Sequence, residues 1–354
     1  MIETDALVIG AGPAGLFAVF QLGLQGIAAQ VIDVLDEPGG QCAALYPDKP
    51  IYDIPAVPLC TGRELTQKLL QQIAPFSAGF HFNKQVEAVD RQADGRWLVT
   101  SCAHPHQGNP ARQQFLARVV IIAAGVGAFV PKELKVEGLA AFQGSQVFYR
   151  LKPADLFAGK HLLIVGGEDA AVQSAIALAQ PGPTQAQSLT VLHRRDVLQA
   201  TPEVLAEFDA LRASGRITFL AGQVNAIQTS GERLTGVTMT TADNASRTLA
   251  LDSLLVCQGI SPKLGPIAHW GLAMARKQLV VDTASFATSA PGIFAVGDVI
   301  TYPGKKKLIV SGFHEATLAA FAAAALIHPD ASSVLQYTTS SAVLQRRLGV
   351  LPQP

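Results

Sequence analysis

The first apolar strand of this chain runs straight into three spaced glycines. Ala6–Ile9 ("ALVI") is followed by Gly10, Gly12 and Gly15 in G-x-G-x-x-G spacing, then by a helical stretch to about Gly26. A second strand, "AAQVID", ends at Asp33, 21 positions after Gly12. Few folds accept this combination. The first glycine allows a tight turn, and the second lets backbone N–H groups approach a pyrophosphate. The third lets the helix pack on the strand, while the helix N-terminus faces the anion. The spacing predicts a βαβ unit that holds a dinucleotide on Gly10, Gly12, Pro13, Ala14 and Gly15, with Asp33 at the ribose.

A second such unit begins at "LLIVGGEDAAVQSA", Leu162 to Ala175. Its helix is expected from about Asp169 to Ala179, followed by a turn-rich "PGPTQAQ" and the strand "LTVLHRRD". Gly166, Gly167 and Asp169 form the turn and helix start of this second nucleotide site. Where a site for NAD places an acid at the strand end, this chain has His193, Arg194 and Arg195. Guanidinium groups match a phosphate in charge and geometry, which favours the 2′-phosphate of NADP. One residue breaks the pattern, because Glu168 stands where the fingerprint wants its second glycine.

At 354 residues the chain suits two α/β domains better than one core. Apolar residues make up 49% and charged ones 15%, so much of it must lie in buried strands and packed helices. The formal net charge is zero, which implies no bulk attraction to nucleic acid or an anionic membrane. The N-terminus shows no basic segment, apolar h-region or cleavage site, and "LAAFAAAALI" reads as a buried helix instead of a span. The four cysteines (Cys42, Cys60, Cys102 and Cys257) include no C-x-x-C, so they signal neither zinc nor a local dithiol and fit free thiols in a reducing cytoplasm.

A late strand, "APGIFAVGDVI", ends in Gly297-Asp298. A nucleotide unit at the start, a second in the middle and a late "FAVGD" strand resemble the two-dinucleotide-fold flavoproteins. That resemblance implies an α/β chain of two Rossmann-like three-layer domains, the second inserted into the first. Residues 1–126 and 255–330 would bind FAD, and 127–254 would bind NADPH. Asp298 would contact the ribityl chain. "IIAAGVGAF" and "LLVCQGISP" look like the two crossings between domains. The disulfide reductases of this group carry a cysteine pair at one of two places. "FQGSQVFYRLKPADLFAGKH" has none, and the residue five positions after Cys42 is Pro47.

Without that pair, the chain resembles the ferredoxin/flavodoxin–NADP+ reductases of thioredoxin-reductase type. The runs that carry the resemblance are "GGQCAALYPDKPIYDIP" (Gly39–Pro55), "AAGVGAFVPKEL", "LGPIAHWGL", "SGFHEAT" and the tail "QYTTSSAVLQRRLGV". It implies that Tyr46 stacks on one flavin face and that Tyr337, from a tail spanning 331–354, stacks on the other, in the second subunit of a homodimer. Gln41, Val86, Phe129 and Thr339 would contact FAD, and Asp53 would lie near the ring. NADPH would deliver a hydride to the flavin, and electrons would leave singly to ferredoxin or flavodoxin.

Three features remain open at this level. Glu168 would repel a pyrophosphate by about 3 kcal/mol at ~5 Å and an effective dielectric of 20, before solvent and rotation reduce it. That motivates an alternative: an FAD oxidoreductase of the same fold with a weakened or lost NADPH site and another donor. A non-catalytic flavin-binding regulator is a third reading, opposed by the retained tyrosines. His314, where relatives carry glycine, suits packing at a helix start. Lys305 to Lys307 with Arg346 and Arg347 would make a landing patch for an acidic ferredoxin if they converge, and are otherwise separate solvated charges.

Overall fold

The computed structural model describes residues 1–103, 112–149, 151–183, 185–330 and 335–351, with the side chains of 128–131 and 260–263 outside that description. In chain order the main elements are β1 Ile2–Ile9, α1 Pro13–Leu24, β2 Ala29–Ile32, α2 Gly62–Ile73, β3 Gly79–His81, β4 Lys84–Arg91, β5 Trp97–Ala103 and β6 Gln113–Ile122. There follow β7 Val147–Phe148, β8 His161–Val165, α3 Asp169–Ala179, β9 Ser188–His193, α4 Pro202–Ala213, β10 Thr218–Ser230, β11 Arg233–Thr241, β12 Ser246–Ala250 and β13 Ser253–Val256. β14 Ile293–Ala295, α5 Ile309–Ile327 and α6 Ala342–Arg347 complete the chain.

Two compact units result: Met1–Ala128 with Lys263–Pro354, and Phe129–Pro262. The second interrupts the first in sequence. In its sheet β13 lies between β7 and β8, and the unit runs on to Pro262, past the 254/255 boundary expected from the sequence.

In the first unit the strand order is β3-β2-β1-β6-β5-β4, with β14 also on β6. β6 serves two partners along its length. Its start pairs antiparallel with β5 (Phe115↔Val99), and its end pairs parallel with β14 (Ile122↔Ala295). Register brings five parallel strand ends level, since Ile9 pairs Ile32 and Ile122, Ile32 pairs His81, and Ile122 pairs Ala295. The next residues at that edge are therefore Gly10, Asp33, Ala123 and the segment leading to Asp298, where ligands of open parallel sheets bind. Ala6, Leu7 and Val8 have no exposed surface, as expected of a strand covered on both faces.

α1 starts with Pro13 at its first position, where a missing N–H costs nothing. α2 starts with a full capping box between Thr61 and Glu64. α5 buries Ala316, Ala319, Ala320 and Ala323, small residues at helical spacing that let neighbouring backbone approach. By length and composition α5 is apolar enough to cross a membrane. Its inner face is nevertheless packed in the core and carries the fully buried Glu315. It begins at Ile309, so His314 sits inside the helix and not at its start.

In the second unit the order is β7-β13-β8-β9-β10-β11-β12, parallel through β10 and antiparallel beyond it. Val165 pairs Leu192 and Val256, so Gly166, His193 and Cys257 emerge at one edge, as in the first unit.

Candidate dinucleotide sites

The three glycines of the first loop are needed for different reasons. Gly10 has φ +112°, and a Cβ there would lie 2.4 Å from the Ala123 carbonyl oxygen. A Cβ on Gly15 would lie 1.9 Å from the Gly10 carbonyl oxygen, so helix and strand touch there. Gly12 is different. Its backbone is extended (φ −73°, ψ 178°), and a Cβ would meet nothing nearer than the Cα of Gly40 at 3.8 Å. The folded chain itself has room for a side chain at Gly12. A glycine kept beside open space at a helix N-terminus fits a cradle for phosphate.

The other expected residues of this unit gather around that cradle. Asp33 is buried; one carboxylate oxygen accepts the Ala11 N–H at 2.6 Å and the other accepts the Leu35 N–H at 2.9 Å. Burial pushes its carboxyl above the ordinary range, opposed by these backbone donors. Asp33 thus holds the loop in shape. The Leu35 N–H would otherwise need another partner. Gln41 Nε2 donates to Asp298 at 3.2 Å, joining residues 257 positions apart. Ala14 lies against the Gly297 turn and α5, since Cβ atoms built on Gly297 and Gly312 would meet its methyl at 3.3 and 3.1 Å.

Tyr46 is half-buried at the edge of the core, and its hydroxyl accepts the Cys42 thiol at 3.6 Å. Burial pushes the phenol upward, with the neighbouring thiol adding to it. Val86 is buried at a bulge in β4, two residues past Lys84, whose N–H binds the Asp33 carbonyl at 3.0 Å. Asp53 is exposed. Tyr337 is 63% exposed and Thr339 is exposed too, so neither packs into its own chain's cradle. Phe129 lies in a short strand at the edge of the second unit, with its side chain outside the described residues. All four cysteines are free.

Two parts of the expected landing patch are corrected. The Lys305 ammonium is buried and paired with Glu315, because that carboxylate has no water to neutralise it. Arg347 donates to the Leu24 carbonyl at the C-terminus of α1, the end remote from Gly12, where a cation satisfies an orphan acceptor. Lys306 and Lys307 remain exposed.

In the second unit a Cβ on Gly166 would meet the Cys257 carbonyl at 2.2 Å, and one on Gly167 would meet the His193 ring at 2.3 Å. The imidazole therefore covers the loop. Burial lowers its pKa from 6.5, with Arg194 and Arg195 adding to the effect and Glu168 opposing it. The exposed Arg194 and Arg195 supply fixed positive charge here. Glu168 is the N-cap of α3 through its carbonyl, which accepts the Ala171 and Val172 N–H groups at 2.9 and 3.2 Å. Its side chain makes no cap bond. The carboxylate lies 3.7 Å from where a Gly259 Cβ would stand, with the Lys132 ammonium 4.0 Å from the same point. The backbone here (φ −94°) suits any residue, so the carboxylate is the departure that matters. Asp169 stands in the first turn of α3.

The sequence reading gave no role to Glu315 or Gly40. A lone carboxylate in an alanine-rich helix was the available signal for the first. Gly40 (φ +55°) abuts Gly12, with its built Cβ 2.9 Å from the Gly12 Cα.

A family profile described as pyridine nucleotide-disulphide oxidoreductase matches residues 4–323. The chain is 55% identical over 350 residues to a ferredoxin–NADP reductase of Polaromonas sp., covering 99% of this chain and 93% of that one. It is 55% identical over 358 residues to one of Paracidovorax citrulli, covering 99% and 97%. Among solved structures it resembles thioredoxin reductase of Lactococcus lactis, with TM-score 0.62, 22% identity and coverage of 92% and 99%. It also resembles a bacillithiol disulfide reductase of Bacillus cereus, with TM-score 0.64, 18% identity and coverage of 91% and 99%. The chain belongs to the pyridine nucleotide-disulphide oxidoreductase family and, within it, to the ferredoxin–NADP reductases of thioredoxin-reductase fold, oxidoreductases that use FAD and NADP(H).

Proposed function

We propose that this protein transfers electrons between NADPH and ferredoxin or flavodoxin, as a soluble cytoplasmic homodimer that needs neither nucleic acid nor membrane. The observation that carries the reading is the open cradle at Gly12, ringed by Gly40, Gln41 and Asp298, in a chain that lacks a C-x-x-C. FAD bound there would accept a hydride from NADPH and release electrons one at a time. Gly10, Gly12, Pro13, Ala14 and Gly15 cradle its pyrophosphate, Asp33 its ribose, and Asp298 with Gln41 its ribityl chain; Val86, Phe129 and Thr339 add further contacts. Tyr46 supports one face of the ring. Tyr337, exposed in its own chain, covers the other face in the second subunit and must move aside for nicotinamide. Gly166, Gly167 and Asp169 hold the NADPH pyrophosphate, and Arg194 and Arg195 the 2′-phosphate, with His193 as the floor of that loop. Under anaerobic conditions NADPH should bleach the yellow protein promptly, and cytochrome c reduction should depend on added ferredoxin. Colour that persists with NADPH but is lost with dithionite would overturn the NADPH half of this reading.

A second reading rests on Glu168, whose carboxylate stands at the helix N-terminus that should receive phosphate. It is an FAD oxidoreductase with weak NADPH use and another donor. Glu168→Gly should lower the Michaelis constant for NADPH by about tenfold, with kcat little changed, since roughly 1.4 kcal/mol of repulsion is removed. An unchanged constant would overturn this second reading.

A further inference from the structure

The geometry points to Glu315 as a positioning residue for the flavin: its buried carboxylate anchors the Gly297-Asp298 turn, and FAD affinity depends on that anchor. Glu315 has no exposed surface. One oxygen accepts the Gly297 N–H at 2.7 Å. The other accepts the Tyr302 hydroxyl at 2.8 Å and the Lys305 ammonium. Three donors on a water-free carboxylate form a satisfied network, and such networks hold one geometry because every alternative leaves a buried charge unpaired.

The turn that Glu315 holds is where the cradle closes. Gly297 (φ +81°) packs against Ala14 of α1, and Asp298 receives Gln41. From the other side Gln278 donates to the Asp298 and Ile300 carbonyls at 3.1 and 2.9 Å. The Asp298 side chain is thus fixed by its own backbone, pinned on one flank by Gln278 and on the other by Glu315. Burial and the bond to Glu315 push the Tyr302 hydroxyl up to about 12, so it stays a donor across the working range. The inference rests on the flavin reading above.

The experiment compares FAD affinity of apoprotein from the wild type, Glu315→Gln and the double variant Glu315→Gln/Lys305→Met, by quenching of flavin fluorescence, with the melting temperature of each apoprotein. Glu315→Gln removes one acceptor and strands the Lys305 charge, so the FAD dissociation constant should rise at least about tenfold. In the double variant the amide accepts from Gly297 and donates to Tyr302, and the constant should return to within about threefold of wild type. A general packing role would lower the melting temperature without altering affinity and would give no recovery in the double variant. Unchanged affinity in Glu315→Gln, or no recovery in the double variant, overturns the proposal. Should Glu315→Gln not fold, Tyr302→Phe carries the test: it removes one donor and keeps the ion pair. An affinity for FAD indistinguishable from wild type would overturn the proposal, and a loss of about threefold or more would support it. Wild-type apoprotein that takes up no FAD would refute the flavin reading itself, which separates that failure from this one.

Discussion

Gly12→Ala should give a folded protein that no longer retains FAD. A methyl at this position meets no protein atom nearer than the Gly40 Cα at 3.8 Å, and the backbone there is extended, so the fold has no need of glycine. The methyl instead fills the path by which a pyrophosphate reaches the α1 N-terminus. Losing close N–H contacts to two phosphates should weaken FAD binding by about a hundredfold, near 2.7 kcal/mol. The apoprotein should melt within about 2 °C of wild type, because no buried contact changes. Gly10→Ala should behave in the opposite way. Its Cβ would stand 2.4 Å from the Ala123 carbonyl oxygen at φ +112°, so folding itself should lose several kcal/mol, of order 3 or more. Retained yellow colour in Gly12→Ala after desalting would remove the basis for placing the flavin pyrophosphate at this loop.

Replacing Arg194 and Arg195 together with alanine should raise the Michaelis constant for NADPH by about a hundredfold, since each charge-assisted bond to phosphate contributes roughly 1.5 kcal/mol or more. The constant for NADH should change by less than about twofold, because that cofactor brings no 2′-phosphate to this strand end. His193 contributes little to this difference: burial disfavours its charged form, and its ring is committed to the Gly167 surface. A parallel rise for both nucleotides would mean that the two arginines act on the common pyrophosphate and do not select between the cofactors. Measuring both constants at two ionic strengths adds a check, since contacts to a dianion weaken with salt.

Much of the site could be read without coordinates because it is written in local rules. An apolar strand, a glycine turn and a helix start are neighbours in sequence, so Gly10 to Gly15 and Gly166 to Asp169 declare themselves by spacing alone. The α3 boundaries, Asp169–Ala179, follow from the same periodicity. The basic residues are the counter-example. Lys305 to Lys307 look like one surface cluster, yet Lys305 turns inward to Glu315 while Lys306 and Lys307 stay exposed. A run of like charge does not say which member meets a buried carboxylate ten residues later, because that depends on how α5 folds back. Arg347 likewise finds the α1 C-terminus, 323 residues away in sequence.

By itself the sequence determined that there are two strand–glycine turn–helix units, and that no C-x-x-C accompanies them. Periodicity, glycine sterics and charge act over a few residues, so one dimension suffices for them. Only the tertiary structure decided that Gln41 meets Asp298, that Asp33 steadies the loop it faces, and that Glu315 ties down the turn between them. Gln41 and Asp298 lie 257 positions apart in sequence, and they meet because parallel strands in register deliver their carboxyl ends to one edge.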